Sequence, residues 1–279
     1  SPQAPSPQAP PSRPAAREAV AAPSPYVLSR VRHLMGTSVS LTVRGPQARS
    51  STTERVMQEA FADLAWVDAT FSRWRGDSEL SRLRRGEVSV EQCCPQMGEV
   101  LRRCADAAEE TDGAFAWVLP EEDGDQWLIE PTGLVKGWAI ARAAKILGEG
   151  LVPAGHAYCV NAGGDIAVGG ADTSPGGERP WRLGIEDPAR RDRVARVVER
   201  HEGALATSGC AARGAHLVDP ATGRRILRPG SVSVIAPDIV SADVWATALF
   251  VAPPELADRI AGRPGWQVVR LHGDETAQR

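Results

Sequence analysis

The chain has 279 residues, 42% apolar and 24% charged, with a formal net charge of −3 and a pI near 6.0. That size supports one large domain or two small ones. The charge balance excludes the basic footprint of a nucleic-acid binder, and no apolar stretch is long enough to span a bilayer.

Residues 1–25 repeat the element SPQAP and are crowded with proline, which favours extended, solvated chain over helix or sheet. This stretch reads as a disordered linker or tether, with the folded domain spanning 26–279. Tyr26 to Val43 reads as strand, with strict polar–apolar alternation over Ser38–Val43. From Thr52 to Phe71, Val56, Ala60, Leu64 and Val67 recur at helical spacing, and a polar loop, 72–80, follows. A second helix covers 96–111, and a third runs from about Gly137 to Leu147 after a glycine-containing turn. Tyr158–Val168 reads as two short strands joined by glycines. Further strands fall at Trp181–Ile185, Ala204–Ser208, His216–Pro220, Ser231–Ala236 and Gln267–Leu271, with a helix at Ala242–Val251 and a restart over Pro254–Ile260. Helices and strands alternate without a regular βα repeat, which points to an α+β fold with mixed or antiparallel sheets and packed helices.

Several residues carry candidate chemistry. Lys136 and Lys145 are the only lysines among 32 basic side chains. Lys136 sits in Gly133-x-x-Lys136-Gly137, which lacks P-loop spacing, yet backbone N–H groups at a helix start beside a cation suit an anion; a plain capping turn is the alternative. Asp243 and Thr247 lie four apart on one helix face. A carboxylate with a hydroxyl is hard-oxygen chemistry suited to Mg²⁺, whereas capping after Ser241 would account for the Asp without a ligand. Asn161-Ala-Gly-Gly-Asp165 reads either as a glycine bulge or as close backbone approach to a ligand. Trp74, between two arginines, either stacks on a flat ring or anchors its loop. The five cysteines lack metal-site spacing and read as free thiols or as a single disulfide.

Taken in order, the motifs resemble the ApbE family, the FAD:protein FMN transferases once described as thiamine-biosynthesis lipoproteins. The matching pieces are Met35-Gly-Thr37, Phe71-Ser-Arg-Trp74, Asp77-Ser-Glu-Leu-Ser-Arg-Leu83, Gly113-Ala-Phe115, Gly133-Leu-Val-Lys-Gly-Trp138, Asn161-Ala-Gly-Gly-Asp165, Ala206-Thr-Ser-Gly209, His216-Leu-Val-Asp-Pro-Ala-Thr-Gly223, Ser231-Val-Ser-Val234 and Ala242-Asp-Val-Trp-Ala-Thr247. The resemblance implies an ApbE-like (T-fold-like) architecture and a bacterial transferase that uses Mg²⁺ and FAD. Such an enzyme attaches FMN to a Thr or Ser hydroxyl of an acceptor protein and releases AMP. It implies Asp243, Thr247 and the Gly133 carbonyl as metal ligands, and Met35, Trp74, Ala114, Phe115, Ala116, Glu130, Lys136, His216 and Leu217 around FAD. His216 and Asp243 are both candidates for the general base. The Pro-rich segment and a first residue other than Met add the expectation of an extracytoplasmic or membrane-anchored setting, with tethering through a removed N-terminal leader.

The chain departs from the family pattern at several points. Ala116 stands where an Asp is usual, Glu130-Pro-Thr-Gly133 replaces Asp-Leu-Gly-Gly, Ala141 replaces an Asp and Arg84 an Asn, and the Gly209–His216 segment is short. Competing expectations are therefore an FAD pyrophosphatase giving FMN and AMP, a flavin-binding protein without chemistry, and a ligand-binding surface lipoprotein.

Overall fold

The computed structural model describes residues 26–120, 127–190, 192–209 and 228–273, together with residues 24, 218, 224 and 226. The expectations placed on the Pro-rich segment, on His216 and Leu217 and on a strand over His216–Pro220 lie outside the described residues, apart from Ser24 and Val218.

The stretch read as one strand is a hairpin of β1 (Val27–Leu34) and β2 (Thr37–Arg44). The chain reverses at Met35 and Gly36, both with positive φ (54° and 70°). Helix α1 (Ser51–Phe71) starts where Ser50 Oγ accepts the Thr53 N–H at 3.2 Å, an ordinary N-cap. Its apolar row of Val56, Ala60, Leu64 and Val67 is buried. The polar loop expected over 72–80 is shorter, because α2 (Glu79–Arg84) begins behind its own serine cap, Ser78. Then come α3 (Pro95–Glu110), a small hairpin of β3 (Val118–Pro120) and β4 (Trp127–Ile129), and α4 (Thr132–Leu151). Helix α4 starts five residues earlier than its sequence suggests, so Gly133, Lys136 and Gly137 lie within its first turns. Gly133 and Gly137 lower the intrinsic propensity of these turns, and burial of Leu134, Val135, Trp138, Ala139 and Ile140 outweighs that loss.

The remaining elements are β5 (Ala157–Ala162), β6 (Asp165–Gly170), β7 (Trp181–Glu186), β8 (Val194–Arg200), β9 (Gly203–Gly209), β10 (Ser231–Ala236), α5 (Ile239–Val251) and β11 (Gln267–Leu271). Seven strands form one sheet in the order β1-β2-β5-β6-β9-β10-β11, every neighbouring pair antiparallel. One face packs Val39, Leu41, Val43, Val160, Ala167, Ala204 and Val232 in the same core as residues of α1, α4 and α5. The other face carries Ile166, Val168, Leu205, Ile235 and Val269 beneath the β7–β8 hairpin, which contributes Leu183, Ile185 and Val198. The antiparallel sheet with packed helices is the α+β arrangement expected; the β7–β8 hairpin adds a third layer, of which the sequence reading had only β7. Strand β6, at the centre of the sheet, and β10, beside the last strand, are buried along almost their whole length, which is why the apolar run of β6 barely alternates. Because α4 and α5 lie side by side on the sheet, the start of α4 meets the first half of α5 above β6 and β9.

Candidate functional site

Helix α5 begins behind Asp238, whose carboxylate accepts the Ser241 N–H at 2.8 Å. Asp243 is therefore released from the capping role that its place after Ser241 suggested. Its side chain leaves its own helix and accepts the Gly137 N–H of α4 through Oδ2 at 3.0 Å. In an α-helix that N–H pairs with the carbonyl of residue 133, so Asp243 competes with the Gly133 carbonyl for it. The contact requires a glycine: a Cβ on residue 137 would stand 3.0 Å from Asp243 Cβ and 3.1 Å from the Ile239 carbonyl oxygen.

Lys136, one residue earlier, reaches into the same space. Its Nζ lies 3.3 Å from Asp243 Oδ1 and makes a closer ion pair with Asp165 Oδ2. Asp165 opens β6 and is held by the Thr207 N–H of β9, which donates to its Oδ1 at 2.9 Å. Asp243 and Asp165 are each only 2% exposed. Burial drives the Asp243 carboxyl up from its ordinary value; Lys136 pulls it back and Asp165 pushes it further up, as desolvation and neighbouring charges dictate. Two carboxylates thus share one ammonium in a nearly dry site. One turn along α5, the Thr247 hydroxyl lies 3.0 Å from Ser208 Oγ on β9. Thr207 Oγ1 and Ser233 Oγ are 2.8 Å apart on neighbouring strands.

The Asp243 carboxylate, the Thr247 hydroxyl and the Gly133 carbonyl are all hard-oxygen donors. Among the described residues no three His, Cys, Asp or Glu side chains group as a metal site, so a carboxylate cage is not built there. A set with few carboxylates fits Mg²⁺, which keeps waters and takes substrate phosphates as ligands. The excess negative charge of the Asp165–Lys136–Asp243 cluster is a second reason that a cation fits.

Other sequence-derived residues fall around this centre. Glu130, its carboxylate mostly buried, accepts from Arg73 Nη1 at 3.2 Å and Arg84 Nη1 at 2.9 Å through Oε2. Its Oε1 takes the Thr132 hydroxyl and N–H at the mouth of α4. It thereby organises the start of the helix that carries Gly133 and Lys136. Arg84 and Glu130, two of the departures noted in the sequence, bond to each other. Trp74 is 82% exposed and has the Arg73 guanidinium over its ring at 4.4 Å, so the alternative of a packed loop anchor is overturned. Phe115 is 1% exposed. Its Cε2 would lie 3.3 Å from a Cβ on Gly133, which makes it a wall behind the α4 start. Ala114 and Ala116 flank it, half-buried. Met35 is half-buried in the β1–β2 turn; three residues on, the Ser38 carbonyl accepts the Gly163 N–H of the β5–β6 turn at 3.2 Å. That turn is a two-glycine hairpin rather than a bulge. Cys93, Cys94, Cys104 and Cys159 are free thiols, and Cys210 lies outside the described residues.

Sequence reasoning overlooked Asp165, Ser208, Arg73 and Arg84 as parts of the site. Only Asp165 carried a signal, an acid directly after a Gly-Gly turn. The others are ordinary polar residues whose importance comes from what they face.

Comparison with known proteins bears on the family and the fold. The family model described as the ApbE family matches residues 35–120 and 120–269. A protein of Escherichia coli K12 named FAD:protein FMN transferase is 39% identical over 119 residues, which is 38% of this chain and 34% of that protein. The chain thus aligns with only about a third of that relative's length. A Haemophilus influenzae protein of the same name is 24% identical over 84% of this chain and 83% of its own. Among solved structures, an ApbE protein of Thermotoga maritima superposes with a TM-score of 0.71 at 22% identity, covering 88% of this chain and 94% of its own. The flavin transferase ApbE of Vibrio cholerae gives 0.68 at 21% identity, covering 88% and 97%. These likenesses share the fold described above, and with a family match that runs from the β1–β2 turn to the last strand, the chain belongs to the ApbE family.

Proposed function

We propose that the chain is a flavin transferase that moves FMN from FAD to a Thr or Ser hydroxyl of an acceptor protein, with Mg²⁺ as cofactor and AMP as leaving group. The observation that carries this reading is the buried Asp243 carboxylate, one turn from Thr247 and presented at the mouth of α4 beside Lys136. In the reaction, a bond forms between the acceptor oxygen and the FMN phosphorus. The bond from that phosphorus to the bridging oxygen breaks, and the hydroxyl proton passes to a base, for which His216 and Asp243 are the candidates. Mg²⁺, held by Asp243, Thr247 and the Gly133 carbonyl, would neutralise and polarise the diphosphate. Phosphoryl-type transfer asks the protein mainly for positioning and charge. Lys136 supplies charge beside the diphosphate, Glu130 with Arg73 and Arg84 sets the α4 start, and Trp74 offers an open ring face to the isoalloxazine. We place the domain outside the cytoplasm on its Pro-rich tether. No helix among the described residues is long and apolar enough to cross a membrane.

The test is incubation of the purified protein with FAD and a Thr-containing acceptor domain, with and without Mg²⁺, following AMP by chromatography and protein-bound flavin by mass. Mg²⁺-dependent AMP release with covalent FMN on the acceptor is expected, and its loss in Asp243→Ala. Free FMN in place of protein-bound FMN would make the chain an FAD pyrophosphatase. Full activity of the Asp243 variant would remove the metal role.

A further inference from the structure

Both oxygens of Asp243 are already engaged. Oδ2 accepts the Gly137 N–H at 3.0 Å, and Oδ1 faces Lys136 Nζ at 3.3 Å. A divalent ion that takes Asp243 as a ligand needs a carboxylate lone pair. The oxygen not tied to the backbone is the one Lys136 holds, so the ammonium and the metal seek the same atom. Lys136 has somewhere else to put its charge. Its Nζ also pairs with Asp165 Oδ2, and Asp165 is fixed independently by the Thr207 N–H. A flexible four-carbon stem carrying a compact charge suits a short move between two anions.

We propose that Lys136 is a place-holder for the divalent cation: it neutralises Asp243 in the metal-free protein and yields Oδ1 when metal and substrate arrive together. This rests on the reading of Asp243 as a metal ligand. Charge dictates the consequence. Two buried carboxylates and one ammonium sum to −1, and a divalent ion turns that to +1. With the ammonium still beside Asp243, the metal meets a like charge at close range, and that repulsion is strong where water is scarce. A diphosphate drawing the ammonium towards itself and Asp165 relieves the repulsion. Metal and diphosphate therefore bind with positive coupling, and the coupling is reciprocal. Lys136 acts here as a positioning residue: it leaves Oδ1 closed to metal until the anion to be cleaved is present.

The experiment uses Mn²⁺ as the divalent probe, read by electron paramagnetic resonance, without flavin. In the wild type, Mn²⁺ is expected to bind weakly alone and more tightly when inorganic pyrophosphate is added at matched free Mn²⁺. In Lys136→Met, Mn²⁺ alone should bind about tenfold or more tightly than in the wild type, and pyrophosphate should add less. A supporting lysine would give the opposite sign, so equal or weaker Mn²⁺ binding by Lys136→Met overturns the proposal. If that variant fails to fold, as judged by circular dichroism, Lys136→Gln and the wild-type coupling take its place; absence of coupling overturns the proposal equally. Mn²⁺ binding that survives Asp243→Asn, or none in any variant, would instead remove the metal assignment itself.

Discussion

Two glycines of α4 should respond in opposite ways to the same substitution. At Gly137 an added Cβ would lie 3.0 Å from Asp243 Cβ, 3.1 Å from Asp243 Oδ2 and 3.1 Å from the Ile239 carbonyl oxygen. Carbon contacts settle at about 3.5–4.0 Å, so α4 and α5 must part by roughly half an ångström, because both flanking residues, Ile239 and Asp243, are buried in α5. Alanine favours helix over glycine by about 1 kcal/mol, whereas overpacking costs about 1–3 kcal/mol. The net expectation is a loss of about 0–2 kcal/mol, or a Tm lower by up to about 8 °C for a chain of this size. The Gly137–Asp243 hydrogen bond stretches with the helices, and displacement on that scale should slow FAD turnover roughly tenfold or more. At Gly148 the same methyl would meet only Tyr158, at 3.6 Å and 3.8 Å, ordinary contact distances. There the propensity gain stands alone, so Gly148→Ala should raise stability by up to about 1 kcal/mol with turnover intact. Calorimetry and Mg²⁺-dependent AMP release on the two variants decide the matter. If Gly137→Ala matches Gly148→Ala in both, the close approach of α4 and α5 is not what positions Asp243.

Trp74→Ala should weaken FAD binding by roughly 1–3 kcal/mol, the range of base–aromatic stacking. The exposure of this ring means stability should hold within about 0.5 kcal/mol; fluorescence titration and a melting curve read both, and an unchanged Kd would deny the ring a ligand role. Burial pushes the Cys104 and Cys159 thiols up to about 12, so both stay protonated near neutrality and should resist iodoacetamide at pH 8 in the native protein, as peptide mapping would show. The ordinary thiol value is 9.0; the unfolded chain therefore releases these protons first as pH rises past it, and their contribution lowers stability above that pH. Alkylation at the rate of an exposed thiol would contradict their placement.

Local pattern made most elements legible. The row Val56, Ala60, Leu64 and Val67 marks α1, and the alternation of Ser38–Val43 marks β2, because each reflects the repeat of a single element against one buried face. Where local preference and tertiary gain disagree, the reading failed. The α4 start looked like a turn because Pro131, Gly133 and Gly137 are poor helix residues, yet packing of Leu134 and Trp138 extends the helix through them. Strand β8 was missed because most of its residues face outward and its register is set by β7 alone.

The amino-acid sequence determined which chemical groups the chain possesses: the Asp243–Thr247 pair one turn apart, a lysine among glycines, an acid after a Gly-Gly turn and a tryptophan between arginines. It also determined that their order follows that of a known family. Which of these groups meet was decided only by the tertiary structure. Gly137 and Asp243 are 106 residues apart, and their contact depends on α4 and α5 lying side by side on a sheet whose strand order is not sequential. Asp165 gains its role from Lys136 reaching across to it, and Glu130 from Arg73 and Arg84 closing around it. A hydrogen bond or an ion pair is a property of distance and burial, and neither is written in the spacing of residues along one chain.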